Sequence, residues 1–439
     1  MLLLTDVFPP KSGGSGWSTF YLGKALAERG HSVRVLRPDW DKSASKAGLR
    51  ADEYEGMPVE WVTLPAAPMW AKKAGLAKAW RERAAARLMA RRAGALALAG
   101  KADVLHGQHK ASAGAASVAA QQARTKGVRV VSVATVRDYW PLCPVSTRLF
   151  TDQYGESFEC DECHALRAYL ECASAGGGSR LGRLMAVARW VGTLRASRLL
   201  AGCDATIAVS GYVRGQLAKS GRVADTKLVS IPNLVHLPSV EASMSSEWPL
   251  ADISPEQPFL LFVGKLDMNK GMQYLAGPLQ YSGVDLPVVF AGDGPMRGML
   301  EESARDLGLD FRFYDWLEND AILRLMKTAR LLLFPSAWQE PLSRVLLEGC
   351  AAGAAIVAMN TGGTPDIIVH GESGWLASDA AGFTVGIRAV ASDEELNRKF
   401  RAGARRQAET VFASTRVATE VEGLYERLLA GVGVMEKGK

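Results

Sequence analysis

Phe334-Pro335-Ser336-Ala337-Trp338-Gln339-Glu340-Pro341-Leu342-Ser343-Arg344-Val345-Leu346-Leu347-Glu348 reads as the end of a buried strand, a Pro-Ser turn and a helix starting near Pro341. Proline suits a first helical turn, because the N–H it lacks would have no intrahelical partner there. On this reading the amides of Leu342, Ser343 and Arg344 point out of the helix start, where backbone donors and the macrodipole favour an anion such as a diphosphate. Glu340 precedes the turn and Glu348 lies along the helix, so the two carboxylates can accept hydrogen bonds from separate hydroxyls of one ligand. The plainer alternative is an acidic loop followed by a solvated helix glutamate.

Working outward, the strand, loop, helix succession recurs on both sides. Apolar β-rich runs occupy residues 259–264, 288–292, 331–334 and 355–358 of the second half. In the first half an apolar run over residues 1–7 leads into a turn-rich segment holding Gly13 and Gly14, then into helical periodicity that ends at Arg29-Gly30. Further strand-like runs lie at residues 31–36, 103–106, 128–133 and 205–210. Such alternation builds α/β folds with doubly wound parallel sheets and ligand sites at the C-terminal strand ends. Residues 239–257 lose periodicity and gain Ser, Pro and acidic residues, so they read as a linker between two domains. No short-period repeat is present, which excludes solenoids and propellers.

Composition agrees. A chain of 439 residues exceeds what one core organises, and 48% hydrophobic with 22% charged residues belongs to globular proteins, not disordered or fibrous ones. A net charge of +6, unevenly placed, argues against a general nucleic-acid binder. No stretch approaches the roughly 20 apolar residues that span a bilayer, and Met1-Leu2-Leu3-Leu4 runs straight into Thr5-Asp6 without a basic region or cleavage site, so a cytoplasmic protein is expected.

Two further loops share the character of the first. Val263-Gly264-Lys265-Leu266-Asp267-Met268-Asn269-Lys270-Gly271 follows a strand and offers two lysines, fixed cations able to neutralise charge on a departing diphosphate; surface lysines in a turn are the alternative. Ala291-Gly292-Asp293-Gly294-Pro295 has glycines that permit close backbone approach to a ligand.

In this order the three motifs resemble glycosyltransferase family four, retaining enzymes of the GT-B plan. The resemblance also takes in Gly13-Gly14, Arg29-Gly30-His31, Thr135-Val136-Arg137-Asp138-Tyr139-Trp140, Val209-Ser210, Ile231-Pro232-Asn233 and Thr361-Gly362-Gly363-Thr364-Pro365-Asp366. It implies two Rossmann-like domains facing each other across a cleft. Residues 1–240, joined by a helix returning over 412–439, would form the acceptor domain, and residues 246–411 the donor domain. The implied reaction moves a sugar from a UDP-, GDP- or ADP-sugar to a hydroxyl of a carbohydrate or lipid-linked glycan, in cell-surface polysaccharide or glycolipid synthesis, with no cofactor for catalysis.

By the same resemblance Glu340 faces the donor sugar, Glu348 binds the ribose hydroxyls, and Lys265 and Lys270 hold the diphosphate. Gly264, Gly292, Gly294, Leu342, Ser343 and Arg344 line the donor, the backbone near Trp316 and Leu317 meets the nucleobase, and the Gly13-Gly14 loop approaches the phosphates from the acceptor side. Three positions depart from the family pattern. Lys265 stands where arginine is usual, keeping charge but losing bidentate phosphate recognition. Ser343 replaces a common glycine. Arg137 occupies a position often held by an active-site histidine; it can contact phosphate or a sugar hydroxyl at the reaction centre but cannot act as a base.

Residues 141–180 form an insert in which Cys143, Cys160, Cys163 and Cys172 have a spacing able to complete a structural tetrathiolate zinc site or an iron–sulfur cluster. Four reduced thiols, or two disulfides, are the alternatives. Basic helical stretches carry Lys72, Lys73, Lys78, Arg81, Arg83, Arg87, Arg91 and Arg92, and Arg180, Arg183, Arg189, Arg195 and Arg198, with Trp70, Trp80 and Trp190. They suit either peripheral contact with an anionic inner membrane face or a solvated surface. A GT-B epimerase and a catalytically silent nucleotide-sugar-binding or scaffold protein remain as other readings. Asp39-Trp40-Asp41 matches the cation motif of metal-dependent transferases but follows the second strand of a glycine-loop unit, so no catalytic metal is expected.

Overall fold

Among the described residues, ten strands belong to the first half of the chain: β1 (Leu2–Leu4), β2 (Arg34–Ala44), β3 (Gly48–Tyr54), β4 (Met57–Pro65), β5 (Val104–Gly107), β6 (Val131–Val136), β7 (Leu149–Thr151), β8 (Ser157–Glu159), β9 (Ala205–Ala208) and β10 (Leu228–Ser230). They are seen in a computed structural model that describes residues 1–10, 12–44, 48–73, 76–151, 157–170, 172, 180–245 and 247–431. The chain divides into unit 1, Met1–Pro232 with Ala418–Lys439, and unit 2, Asn233–Val417.

Unit 1 is built on a sheet of order β10-β9-β6-β5-β1-β2-β4-β3, parallel except where β3 pairs antiparallel with β4. Leu2, Leu3 and Leu4 are wholly buried, as a central parallel strand covered on both faces requires. One covering helix, Lys110–Arg124, presents Ala115, Ala116, Ala119, Ala120 and Ala123 to the core, small side chains that let it lie close to the sheet. From β1 the chain winds first to β2 and β4, then returns to β5 on the other side of β1. The switch point of the sheet therefore lies between the C-terminal ends of β1 and β5, where Leu4 pairs with Gly107. The sequence reading did not anticipate β3 and β4. The charged, exposed run of β3 has no buried face to give it a periodic signal.

Unit 2 holds β11 (Leu260–Val263), β12 (Val288–Ala291), β13 (Phe311–Tyr314), β14 (Leu331–Phe334), β15 (Ile356–Met359) and β16 (Trp375–Ala377), all parallel, in the order β13-β12-β11-β14-β15-β16. Its switch point lies between β11 and β14. The core is Leu260, Phe262, Phe290, Leu331, Leu333 and Val357, against Phe383, Ile387 and Phe400 of the covering helices.

The linker read at residues 239–257 is corrected by the structure. A helix, Leu237–Ser243, opens unit 2 and is tied down by Ser243 to Asp320 (2.6 Å) and Glu241 to Arg405 (2.6 Å). Trp248 then donates to Ile253 O (2.7 Å), and Leu250 and Ile253 are buried. Residue 246 lies outside the described residues, as do residues 152–156 and 173–179 of the insert and residues 432–439 of the expected returning helix. The last described helix, Ser414–Gly431, joins unit 1 from Ala418 onward. There Glu422 pairs with Arg29 and with His31 (2.6 Å), Tyr425 hydrogen-bonds with His106 (2.6 Å), and Leu429 O accepts from Arg129.

Candidate functional site

Two loops meet at the switch point of unit 2. After β11 the chain turns through Gly264 and Lys265 to Asp267, whose carboxylate accepts from Asn269 N–H (3.0 Å) and starts a short 3-10 turn, Met268–Lys270. After β14 come Pro335, Ser336 and the run to Ser343. The loops are locked together: Trp338 N–H and Ser336 Oγ both donate to Asn269 O (3.0 and 3.2 Å). Gly271, at φ +74, faces Pro335 O so closely that a Cβ would sit 1.8 Å from it, so only glycine fits.

This lock brings Lys270 Nζ directly onto Glu340 Oε1, which lies 3.2 Å from Ser336 Oγ and is a second acceptor within reach of that hydroxyl. Trp338 lies beneath the ammonium, 5.6 Å from ring centre to Nζ. Glu340 is 5% exposed, so the ion pair is largely withdrawn from water and its geometry is fixed. Gln339 Oε1 accepts from Gly362 N–H (2.6 Å) and Glu340 O from Gly363 N–H (2.6 Å), which fastens the carboxylate's backbone to the loop after β15.

The helix begins three residues later than its proline suggested. It spans Arg344–Ala352, with Ser343 as N-cap accepting from Leu346 N–H (3.4 Å), and its first backbone bond runs from Leu347 N–H to Ser343 O (3.1 Å). Pro341 and Leu342 are therefore loop, because a serine cap offers the start a partner that a proline at N1 does not. Ser343, which replaces a glycine common in the family, is what terminates the loop. Arg344 Nε reaches Glu348 Oε1 at 2.8 Å, one turn on, and Glu348 is 7% exposed.

Lys265 is 62% exposed at its side chain and reaches Asp267 at 3.3 Å. Gly292 and Gly294 are tightly placed, but the approach that demands glycine is internal: a Cβ would meet Gly264 O at 2.1 Å and Leu266 O at 2.3 Å. They hold the loop after β12 against the lysine loop, an effect the sequence reading assigned to a ligand. Trp316 follows β13 and is 81% exposed, and Leu317 beside it is half-buried.

In unit 1 the ends of β1, β5 and β6 bring Asp6, Gln108, His109, Arg137 and Asp138 to one edge. Arg137 donates to Gln108 O (3.0 Å) and Oε1 (2.7 Å). Asp6 accepts from Ala111 and Ser112 N–H (3.0 and 2.9 Å), capping the Lys110–Arg124 helix, although burial raises its carboxyl to about 6. Asp138, accepting from Trp140 N–H (2.7 Å), is also raised to about 6 by burial. Burial first, then the Arg137 guanidinium, push His106 and His109 down to about 3, so both are neutral at physiological pH. The helix Gly14–Glu28 starts at Gly13 without a side-chain cap, and, its chain neighbours aside, no atom of the described residues lies within 4 Å of where a Gly13 Cβ would be. Asp6, Gln108 and His109 were missed in the sequence, although each lies within two residues of a strand's C-terminal end.

The four insert cysteines are buried or half-buried and in no disulfide. Burial, with the nearby thiols of Cys143, Cys172 and Cys160, raises Cys163 to about 12. Among the described residues, no three His, Cys, Asp or Glu side chains are placed to hold a metal ion. The basic faces are partly consumed internally: Arg92 pairs with Glu60 (2.6 Å), Arg81 donates to Trp40 O, and Trp190 donates to Cys163 O (3.1 Å) instead of facing outward. Arg83, Arg87 and Arg91 stay exposed along one stripe, while the side chains of Trp70 and Lys73 lie outside the described residues. Among the described residues no helix is long and apolar enough to cross a membrane.

Comparison with known proteins matches residues 12–237 to the model of Glycosyltransferase Family 4 and residues 251–407 to that of Glycosyl transferases group 1. An uncharacterized glycosyltransferase of Methanocaldococcus jannaschii is 28% identical over 187 residues, 41% of this chain and 48% of that protein. The alpha-maltose-1-phosphate synthase of Mycobacterium tuberculosis is 26% identical over 295 residues, 61% of this chain and 73% of that protein. The match thus spans about half the length of the first of these relatives. Among solved structures, Anabaena HepE in complex with UDP superposes with TM-score 0.67 at 17% identity, covering 97% of this chain and 99% of that one. Sucrose-phosphate synthase of Thermosynechococcus elongatus gives 0.64 at 17%, covering 98% and 99%. The fold is that of the GT-B proteins, two Rossmann-like α/β units in one chain.

Proposed function

We infer the reaction from one premise: this chain belongs to glycosyltransferase family 4. Unit 2 binds a nucleotide-diphosphate sugar at the β11/β14 switch point, and unit 1 receives the hydroxyl of a carbohydrate or lipid-linked glycan. The anomeric configuration is retained. The single observation that carries this reading is the fixed contact of Lys270 with Glu340. An ammonium beside a buried carboxylate suits a ligand that joins an anion to a polyol, which is what a sugar diphosphate is.

Lys270, with the exposed Lys265, neutralises charge as the diphosphate departs, an electrostatic role that needs no bond-making side chain. Glu340 accepts the sugar's hydroxyls, Glu348 those of the ribose, and the amides ahead of the Arg344–Ala352 helix face the phosphates. Arg137 keeps its proton at any working pH, so the leaving phosphate itself takes up the acceptor's proton in a front-face substitution. A lipid-linked acceptor on an anionic membrane would meet the Arg83, Arg87 and Arg91 stripe.

The test is a screen of UDP-, GDP- and ADP-sugars by thermal shift, followed by mass spectrometry of the products. Glu340→Gln and Lys270→Ala should each lower kcat/KM by about 10²–10³-fold with unchanged circular dichroism. Wild-type rates in both variants would overturn the assignment, and nucleotide binding without transfer or hydrolysis would favour a silent binding protein.

A further inference from the structure

We propose that Arg344 is a positioning residue that orients Glu348 and thereby makes the site discriminate a ribonucleotide from a deoxyribonucleotide. This rests on the ribose role proposed for Glu348. Three observations carry it. Arg344 is the first residue of its helix, where a cation opposes the macrodipole, so the dipole does not account for it. Its Nε lies 2.8 Å from Glu348 Oε1, with only 19% and 9% of the two side chains exposed; this is a desolvated pair in fixed geometry, unlike a solvated i,i+4 pair whose contribution is small. And the pair sits at the switch point, where the loops after β11 and β14 converge.

A glutamate on a helix surface samples several rotamers. With Oε1 held by a guanidinium its carboxylate plane is set, and the hydroxyls of a ribose meet an acceptor already in place. A nucleotide lacking one of those hydroxyls leaves the buried carboxylate short of a donor, which penalises it more than the loss of a hydrogen bond in water would. Removing Arg344 frees the carboxylate to turn to solvent, so the penalty for the missing hydroxyl should fade.

Calorimetric titration of the full chain with UDP, ADP and GDP, and then with the 2′-deoxy and 3′-deoxy forms of the tightest binder, tests this. Wild type should prefer the ribonucleotide over at least one deoxy form by about tenfold, the worth of one good hydrogen bond. Arg344→Leu should shrink that ratio to about twofold, and Arg344→Lys should restore part of it through charge alone. A merely structural role would weaken ribo and deoxy forms equally. Discrimination unchanged in Arg344→Leu, or no discrimination by wild type, overturns the proposal while leaving the transferase reading intact. Failure of wild type to bind any of the three ribonucleotides overturns both.

Discussion

His106 is the residue on which the interior of unit 1 turns. It sits on β5, wholly buried, with Nδ1 on Tyr425 Oη (2.6 Å) and Nε2 on Thr135 Oγ1 (2.7 Å), so a neutral ring can serve one hydroxyl as donor and the other as acceptor. Burial and Arg137 hold its pKa at about 3, below the ordinary 6.5. A depressed folded pKa gives stability that is complete above the unfolded value and lost as pH falls from about 6.5 towards 3, at about 1.4 kcal/mol per pH unit. His106→Gln should be less stable than wild type at pH 7, with the gap narrowing by about that amount per unit below pH 6. Urea unfolding at pH 7, 5 and 4 measures it; a constant gap would mean that His106 is not the titrating group. Asp6 and Asp138 act oppositely, since carboxyls raised to about 6 lose stability as pH rises, and the difference between variants cancels their share.

At the scale of elements, the helix Arg344–Ala352 shows what a cap decides. Ser343→Ala should cost about 1 kcal/mol of unit 2 stability, and Ser343→Gly only a few tenths. Chemical denaturation of the two variants checks this, and equal losses would show that the serine hydroxyl does not cap. The same helix marks how far the sequence could be read. Strand, turn and helix were legible because β14 is an unbroken apolar run and the helix has an amphipathic period. The start was misplaced because Pro341 and Ser343 are both start signals and only the structure shows which one acts. The lysine loop and Glu340 were legible as a pattern, but their direct contact was not, since Gly271 against Pro335 O is a packing fact between segments far apart in sequence. Residues 239–257 failed as a linker for a related reason: a seven-residue helix has too few turns to show a period, and half-buried Trp248 is held by Phe259 and Arg324, contacts the local pattern does not show.

On the scale of the molecule, unit 1 is discontinuous in sequence, Met1–Pro232 and Ala418–Lys439, with all of unit 2 between. Val421, Leu424 and Tyr425 of the final helix are buried, each worth about 1.5–3 kcal/mol of burial. A chain ending at residue 417 should therefore lose on the order of 5 kcal/mol from unit 1 while unit 2, Asn233–Val417, keeps its own core. Limited proteolysis should then cut faster within residues 1–232 and no faster within residues 233–417; equal protection of both would contradict the packing described. The arrangement also imposes an order on biosynthesis. As the ribosome delivers the chain, the N-terminal sheet emerges first yet waits without its last helix while unit 2 is made, on the order of ten seconds or more at ordinary elongation rates. Through that interval the surface that will receive Tyr425 and Leu424 is bare, so the nascent first half is the stage most dependent on chaperones, and a ribosome stalled late in the message strands a protein whose later unit is already finished.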